Sequence, residues 1–437
     1  MSMIKCISPV NGEVYAERPA MPLEMAKQVV SRARQAQKAW ARRPLDERVN
    51  LVLAGVARLN EMVDEVVPEL AWQMGRPVRY GGEFKGFNER SNYVATIAAD
   101  ALKPLVIEES DRFERRIARE PHGVVFVVAP WNYPYMTAIN TVAPALMAGN
   151  TVIIKHASQT ILVGERMVRA FVEAGVPADV FQNIFLDHEI SAALIAAKSF
   201  DFVNFTGSVE GGRSIERAAA GTFTGLGLEL GGKDPGYVME DADLDAAVDT
   251  LMDGATYNSG QCCCGIERIY VHESLFDEFV ERAVALVRQY KLGRSDDPET
   301  TLGPLVRSDA ADFVRAQIAE AVEQGAKAHI DPAEFPQDAP GTPYLAPQVL
   351  TNVNHEMRVM TEESFGPVVG IQKVASDEEA LALMNDSEFG LTAAIFSRDV
   401  DAAMALADRV EAGTVFLNRC DYLDPGLAWT GVKHSGR

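Results

Sequence analysis

Three adjacent cysteines, Cys262, Cys263 and Cys264, directly follow Gly260 and Gln261 and could supply a nucleophile. A cysteine attacks as the thiolate, so its reactivity depends on surroundings that favour ionisation. Buried cysteines more often pack as small hydrophobic side chains. The cluster therefore indicates either a nucleophile or core packing, and the residues that accompany it must decide between the two.

Glu229 is a candidate general base. It stands between leucines in Leu228-Glu-Leu-Gly-Gly-Lys233, where a glycine turn follows it. Apolar neighbours raise the pKa of a carboxyl group, which suits a base that works near neutral pH. The alternative is a core carboxylate paired with Lys233.

Asn132 lies in Pro130-Trp-Asn-Tyr-Pro134, at the end of an apolar run over residues 124–129. Two prolines stiffen this loop, and the side-chain amide of Asn132 could donate a hydrogen bond to a developing oxyanion. An ordinary turn residue is the alternative.

A strand, turn and helix start are predicted over Phe205-Thr-Gly-Ser-Val-Glu-Gly-Gly-Arg213. Glycines at a helix N-terminus let backbone N–H groups approach a pyrophosphate. The run differs from the usual Gly-x-Gly-x-x-Gly, so on its own it does not specify a dinucleotide.

Short apolar strands and helices alternate around these residues. The strands are predicted at 124–129, 151–154 and 200–205, with helices at 137–147 and 209–220. Unalternating apolar runs of this length are typical of parallel strands covered on both faces. The pattern predicts a doubly wound α/β sheet, which binds ligands beyond the carboxyl ends of its strands.

The same alternation restarts after Gly232 and predicts a second α/β domain. Its elements are helices at 244–253 and 276–290 and strands at 266–271, 393–396 and 414–418. Helices are also predicted over about 22–64, with a second helical run after Asp46. A charged, partly alternating segment at 106–120 is predicted to form a hairpin that leaves the main body.

We therefore predict an α/β protein with three parts. A dinucleotide-binding domain of Rossmann type comprises residues 1–103 and 122–230, and a catalytic domain comprises 231–437. The hairpin, with bounds 104–121, is expected to serve oligomerisation.

The composition narrows the function classes. A chain of 437 residues is longer than one hydrophobic core usually supports, so more than one domain is expected. The proportions of 47% apolar and 24% charged residues are typical of a globular enzyme. A formal net charge of -21 disfavours nucleic acid and anionic membranes as partners. No run approaches the ~20 apolar residues that span a bilayer and no signal peptide is recognisable, so we expect a cytoplasmic protein. The cysteine spacing fits neither a disulfide framework nor a zinc site, and we expect reduced thiols and no metal.

Five motifs together resemble the aldehyde dehydrogenase superfamily along nearly the whole chain, in the family's order and at close to its spacings. They are Pro130-Trp-Asn-Tyr-Pro134, Phe205-Thr-Gly-Ser208, Glu229-Leu-Gly-Gly232, Gly260-Gln-Cys-Cys263 and Glu363-Ser-Phe-Gly-Pro367. The resemblance implies the family's fold and the oxidation of an aldehyde to a carboxylic acid with NAD(P), through a thiohemiacetal and a thioester.

The resemblance also implies roles for individual residues. Cys263 would be the nucleophile, Asn132 and the Cys263 N–H would form the oxyanion hole, and Glu229 would activate the hydrolytic water. The implied cofactor contacts are the ribose ligands Lys155 and Glu363, the pyrophosphate contacts Gly207, Ser208 and Gly212, and Trp131, Ser158 and Phe365.

Two departures from the family bear on specificity. Ser158 stands where a glutamate usually holds the adenosine ribose, so NAD or NADP is expected, with a modest preference for NAD. Asn140 stands where the succinate-semialdehyde branch has an arginine, so a dicarboxylic semialdehyde is disfavoured unless Arg419 supplies the cation. The family's aromatic substrate funnel would comprise Tyr133, Tyr257 and Trp429, with core packing as the alternative.

Three alternatives remain open. A coenzyme A-acylating dehydrogenase generally lacks the base that Glu229 provides, and a non-catalytic binding protein on this scaffold would be expected to lose the cysteine or the base. A redox switch at the cysteine cluster would be an accessory property. The expected partners are a small-molecule aldehyde and further copies of the chain in a homodimer or higher homo-oligomer, although the sequence stops at Arg437, before the family's last intersubunit strand.

Overall fold

Two largely parallel β-sheets form the framework of a computed structural model that describes residues 2–420, 422 and 424–437. The strands, numbered along the chain, are β1 Met3–Ile7, β2 Val14–Pro19, β3 Leu105–Glu109, β4 Glu114–Ile117, β5 Val124–Ala129, β6 Thr151–His156, β7 Phe181–Asn183, β8 Phe202–Thr206, β9 Gly225–Glu229, β10 Asp234–Val238, β11 Ile266–His272, β12 Lys327–Ala328, β13 Gln348–Thr351, β14 Val368–Val374, β15 Phe389–Gly390, β16 Thr392–Phe396, β17 Thr414–Leu417 and β18 Val432–Lys433.

Helices cover both faces of these sheets. They are α1 Leu23–Ala41, α2 Leu45–Asn60, α3 Val63–Met74, α4 Phe84–Leu102, α5 Pro134–Met147, α6 Val163–Glu173, α7 His188–Ala196, α8 Val209–Ala219, α9 Leu244–Thr256, α10 Phe276–Val287, α11 Ser308–Glu323, α12 Arg358–Thr361, α13 Asp377–Asn385 and α14 Val400–Ala407. Several begin at an aspartate or serine whose side chain accepts a backbone N–H of the first turn, as Ser208 does for α8. Within the described chain, every helix is too short or too polar to cross a membrane.

The first sheet has the order β7-β6-β5-β8-β9, and all of its neighbouring strands are parallel. Its central strand β5 explains the unalternating sequence, because successive residues enter different cores. Val125 and Val127 pack with α2, α5 and α6 on one face, whereas Val124 and Phe126 pack with α1 on the other. Both faces of the strand are therefore apolar.

The second sheet has the order β12-β13-β14-β11-β10-β16-β17, in which only β12 is antiparallel to its neighbour. In β11, successive side chains pack on opposite faces of the sheet. Ile269 packs in the core with α9 and α10, whereas Tyr270 packs in the core with α11 and α13 on the other face. The predicted α/β fold with two such sheets is confirmed.

The protruding hairpin is formed by β3 and β4, which pair antiparallel. Its apolar side chains face outward: Leu105, Val106, Ile107, Phe113 and Ile117 are 51% to 59% exposed. At the other end of the chain, Arg437 pairs with Leu228 through two backbone hydrogen bonds of 3.0 Å, so the final residues lie beside β9 of the first sheet.

The predicted elements are confirmed with shifted ends, each with a local reason. The second helix predicted within 22–64 begins at Leu45 rather than after Asp46, because Pro44 directly precedes α2 and cannot extend a helix from before it. The strand predicted at 200–205 begins at Phe202, because Phe200 instead stacks on Phe126 with ring centroids 4.3 Å apart. The strand predicted at 414–418 ends at Leu417, since Asn418 turns to a φ of 53°.

Candidate active site

A cavity of about 1550 Å³, here called the cleft, opens at the carboxyl ends of β5, β6, β8 and β9 and extends to loops of the second sheet. Most of the residues proposed from the sequence line it: Trp131, Asn132, Lys155, Ser158, Gly207, Ser208, Glu229, Cys263, Glu363 and Phe365. The position of the cleft agrees with the general rule that doubly wound sheets bind ligands at this edge.

Cys263 is presented by a strained turn. After α9, Asn258, Ser259 and Gly260 take φ angles of 53°, 58° and 73°. A side chain at Gly260 would clash with the carbonyl oxygen of Gly366. Left-handed backbone at two non-glycine residues in succession is unfavourable and is often found where a protein must present a functional group.

Only the middle cysteine faces the cleft. Cys263 is half-buried and lines it, whereas Cys262 and Cys264 are buried with their sulfur atoms 3.4 Å apart. The two outer cysteines therefore pack beneath the turn and support it.

Asn132 is buried at the end of β5 beside this turn. Its side-chain Nδ2 donates to the carbonyl oxygen of Gln261 at 3.3 Å, and Gln261 Oε1 accepts the N–H of Val306 at 2.7 Å. The amide of Asn132 is thereby held next to the turn that carries Cys263.

A buried ion pair that the sequence did not single out holds the Asn132 loop. Arg76 and Glu83 lie 2.7 Å apart between Nη1 and Oε1, and both are almost fully buried. Arg76 also donates to the carbonyl of Asn132, and Glu83 Oε2 accepts the N–H of Met136 at 2.6 Å. Because each charge has further hydrogen bonds, the pair can offset its desolvation cost and fix the loop. Arg76 is 56 residues from Asn132 in sequence, and no local motif marks it.

Glu229 ends β9 and faces the cleft. Burial raises the pKa of its carboxyl group to about 7, while the hydrogen bond from Thr206 and the charge of Arg90 act in the opposite direction. Thr206 Oγ1 donates to Glu229 Oε2 at 3.2 Å. The alternative pairing with Lys233 is wrong, because Lys233 Nζ lies 2.6 Å from Glu267 Oε2.

The two glycines after Glu229 let three functional segments meet. A side chain at Gly232 would clash with the carbonyl oxygen of Cys263, and one at Gly231 would clash with the carboxylate of Glu363. Glycine is required at both positions because the backbone itself is in contact.

Glu363 and Phe365 line the cleft from the loop that precedes β14 of the second sheet. Glu363 Oε1 accepts the N–H of Gly232 at 3.0 Å, and burial, followed by the charge of Glu267, raises the pKa of Glu363 to about 8. Phe365 has a φ of 54° and meets the ring of Trp131 edge-on at 5.5 Å. Glu267 fixes this loop by accepting the N–H of Phe365 at 2.8 Å.

Lys155 and Ser158 lie at the far end of the cleft. Lys155 is buried at the end of β6, and desolvation lowers its pKa to about 8. Ser158 is exposed in the turn that follows. Between them, His156 is buried with neither ring nitrogen hydrogen-bonded to a described residue, and burial lowers its pKa to about 3, so its ring is neutral.

The glycine-containing turn after β8 enters the cleft only in part. Gly207 donates its N–H to the carbonyl of Glu229 at 3.0 Å, and Ser208 caps α8. Gly212 lies outside the cleft lining, one turn along α8, where a Cβ would meet Leu230 Cδ2 at 2.6 Å. Gly212 therefore allows α8 to pack closely on the strand segment rather than lining the cleft.

The predicted funnel residues form a second group on Cys263. Tyr133, Met136, Tyr257, Leu391 and Trp429, here called the substrate-side cluster, pack with the three cysteines. Asn140 is half-buried one turn beyond Met136 on α5. Arg419 is exposed and lies over the ring of Tyr422 at 3.2 Å. Cys263 belongs both to the cleft lining and to this cluster.

The first sheet is of Rossmann type, and its large cleft is lined by both a thiol, Cys263, and a carboxylate, Glu229. These are features of an oxidoreductase with a covalent step. A sequence model described as the aldehyde dehydrogenase family matches residues 1–437. The chain belongs to this family.

Individual relatives agree. The chain is 33% identical over 431 residues to a succinate-semialdehyde dehydrogenase [NADP(+)] of Deinococcus radiodurans, covering 98% of the chain and 90% of the relative. It is 36% identical over 440 residues to a vanillin dehydrogenase of Pseudomonas fluorescens, covering 98% and 89%. The crystal structure of an aldehyde dehydrogenase from Brucella melitensis biovar abortus 2308 superposes with a TM-score of 0.94 at 30% identity, covering 100% of the chain and 90% of that structure. The predicted activity, oxidation of an aldehyde with a nicotinamide dinucleotide, is confirmed at the level of the family.

Proposed function

We propose that Cys263 is the nucleophile, that Asn132 donates to the oxyanion and that Glu229 activates the hydrolytic water. The observation that carries this proposal is the exposure of Cys263 alone among the three cysteines to a cleft that Asn132 and Glu229 also line. A small-molecule aldehyde is the substrate.

In the first step the thiolate of Cys263 attacks the aldehyde carbon. The carbon–sulfur bond forms and the carbonyl π electrons move to oxygen, giving a thiohemiacetal anion. The side-chain amide of Asn132 and the backbone N–H of Cys263 are the donors we assign to this oxygen. The Arg76–Glu83 ion pair holds the Asn132 loop before substrate arrives, so the donor is preorganised.

The cleft fits a nicotinamide dinucleotide. A buried lysine and a buried carboxylate, Lys155 and Glu363, are suited to hydrogen-bond its riboses, and the N-terminus of α8 at Gly207 and Ser208 is suited to its pyrophosphate. Trp131 and Phe365 offer apolar surface on the nicotinamide side. When bound, the dinucleotide supplies the hydride acceptor.

Loss of hydride from the substrate carbon leaves an acyl thioester on Cys263. Glu229 then takes a proton from water, whose oxygen attacks the thioester carbon, and the carbon–sulfur bond breaks to release the acid and the thiolate. A carboxyl pKa of about 7 suits this task, because the group is substantially ionised at neutral pH and basic enough to accept a proton.

The cofactor is a nicotinamide nucleotide, and we infer that both NAD and NADP are used. Ser158 is exposed at the cleft where a carboxylate would repel a 2′-phosphate, and Lys155 is a nearby cation. The modest preference for NAD that was expected from the sequence stays a prediction.

We also propose a function for each of the three parts of the chain. Residues 1–103 and 122–230 form the dinucleotide-binding domain, and 231–437 supply the nucleophile together with the cofactor contacts Glu363 and Phe365. The hairpin at 104–121 joins copies of the chain into a homodimer or higher homo-oligomer. The row of exposed apolar side chains on β3 and β4 supports the last assignment.

Two variants test the catalytic proposal. Cys263→Ala should abolish turnover while cofactor binding persists, because no other cysteine faces the cleft. Glu229→Gln should still release one burst of reduced cofactor and then stall, with the acyl group on Cys263 visible by mass spectrometry. Turnover in Cys263→Ala that depends on Cys262 or Cys264 would show that another thiol attacks. Loss of the burst in Glu229→Gln would show that Glu229 acts before hydride transfer.

A further inference from the structure

The side chain of Arg90 on α4 is buried and has few hydrogen-bond partners. It is 6% exposed, and its Nη1 donates to the carbonyl of Gly86 in its own helix at 3.2 Å. Among the described residues, no carboxylate lies within ion-pair distance of it, and that bond is its only hydrogen bond.

The other deeply buried arginines of the described chain are satisfied differently. Arg48 and Arg76 each donate three hydrogen bonds, and Arg268 donates four. A guanidinium carries five N–H donors, so Arg90 keeps most of its donors available. Its unbonded nitrogens are not among the described polar atoms that are sealed off without a partner, so they keep some accessible surface at which a ligand could bind.

The position of Arg90 points to the substrate. Arg90 Nη1 and Met136 Sδ both lie within 2.7 Å of the point where a side chain at Gly86 would begin. Met136 belongs to the substrate-side cluster that packs on Cys263. One turn further along α4, the hydroxyl of Tyr93 lies near Gly426, in the loop that leads to Trp429. This face of α4 therefore borders the substrate-side cluster.

The charges around Arg90 link it to the same place. Burial lowers the pKa of Arg90, whereas the charges of a Cys264 thiolate, Glu83, Glu89 and, least of all, Glu229 raise it. Glu83 is already paired with Arg76 and with the N–H of Met136. Arg90 is thus within electrostatic range of Glu229 and forms no ion pair with a described residue.

We propose that Arg90 is the receptor for an anionic group on the substrate, so that the preferred aldehydes carry a carboxylate at the end remote from the aldehyde carbon. The inference rests on the proposed function and adds the substrate class. The sequence allowed such substrates only if Arg419 supplied the cation, but Arg419 is exposed and lies over Tyr422. Arg90 is buried beside the cluster and can form a charge-assisted pair with little competition from water.

Gly86 explains why Arg90 can take this position. A side chain there would occupy the space shared by Arg90 Nη1 and Met136 Sδ. The glycine lets α4 and α5 approach, and the guanidinium lies in the resulting gap.

The test compares matched aldehydes on the full-length enzyme: 4-oxobutanoate against butanal, and 5-oxopentanoate against pentanal. We expect the wild-type enzyme to have the higher kcat/KM for the carboxylated member of at least one pair. Arg90→Met should lower the ratio of the two kcat/KM values by about tenfold to a hundredfold, mainly through KM of the carboxylated aldehyde. Arg90→Lys should retain part of the ratio, because an ammonium keeps the charge and loses the planar pair of donors.

Lys85 gives the matched control, since it is an exposed cation on the same helix. Lys85→Met should leave the ratio unchanged, whereas an equal fall would assign the effect to net charge and overturn the proposal. A wild-type enzyme with no preference for either carboxylated aldehyde, or an Arg90→Met variant that loses both members of a pair equally, would also overturn it. Oxidation of butanal or pentanal in either case would leave the proposed dehydrogenase function standing, so the two failures are distinguishable.

Discussion

Replacing Thr206 by valine should shift the hydrolysis of the acyl-enzyme to higher pH. Glu229 must be ionised to accept a proton, so with a pKa of about 7 the hydrolysis rate should rise with pH up to that value and level off above it. Thr206 donates to the carboxylate at 3.2 Å and favours its ionised form. Valine keeps the shape of threonine and removes the donor.

The size of the shift follows from this contact. The hydrogen bond from Thr206 to Glu229 is long, at 3.2 Å, and we expect it to stabilise the carboxylate by about 1 kcal/mol. This stabilisation lowers the pKa of Glu229 by roughly 0.7. Its loss should therefore raise the apparent pKa by about that amount. Well below neutrality, where the rate is proportional to the ionised fraction of Glu229, Thr206→Val should be about fivefold slower than wild type. Above pH 9 the two rates should converge.

The step can be isolated from hydride transfer. Acylating Cys263 with an activated ester such as p-nitrophenyl acetate releases nitrophenolate in a burst and leaves an acyl thioester. Its hydrolysis can then be followed between pH 5.5 and 9.5. Thr222→Val is the control, because it removes a hydroxyl from the turn before β9, at the opposite end of the strand from Glu229.

Two results would refute the reasoning. A wild-type rate that is independent of pH from 5.5 upward would mean that the base ionises near the ordinary carboxyl value and is not desolvated. A Thr206→Val profile displaced to lower pH would mean that the hydroxyl does not stabilise the ionised carboxylate.

Two further predictions concern the cofactor and the backbone. Ser158→Glu should leave NAD use intact and weaken NADP binding by roughly tenfold to a hundredfold, because a carboxylate at the cleft repels a 2′-phosphate by ~1–3 kcal/mol. Titration of both dinucleotides measures this effect, and an unchanged preference would mean that the serine does not face the adenosine ribose. Gly232→Ala should lower the free energy of unfolding by about 1–3 kcal/mol and slow alkylation of Cys263, because the added methyl group would collide with the Cys263 carbonyl. Denaturant unfolding measures the stability and iodoacetamide labelling measures the alkylation rate. Wild-type values in both assays would show that the two segments are not in contact.

Local patterns in the sequence determined much of this protein. The unalternating apolar run of β5 identified a strand buried on both faces. Glycine, proline and cysteine in fixed order identified the segments that carry Asn132, Glu229 and Cys263. These features are readable because they depend on backbone requirements and on periodicity within a few residues. Together with the family resemblance, they were enough to anticipate the activity.

Tertiary structure alone decided which side chains meet. It pairs Lys233 with Glu267 instead of Glu229, and it places Gly212 in a helix contact outside the cleft. It also brings Arg76 to the Asn132 loop, and it leaves Arg90 buried beside the substrate-side cluster. Periodicity shows which face of a helix is apolar, but it does not show what that face will touch. The contacts of Arg76 and Arg90 depend on how α4, α5 and the cysteine turn pack across long sequence separations, and so no local pattern could reveal them.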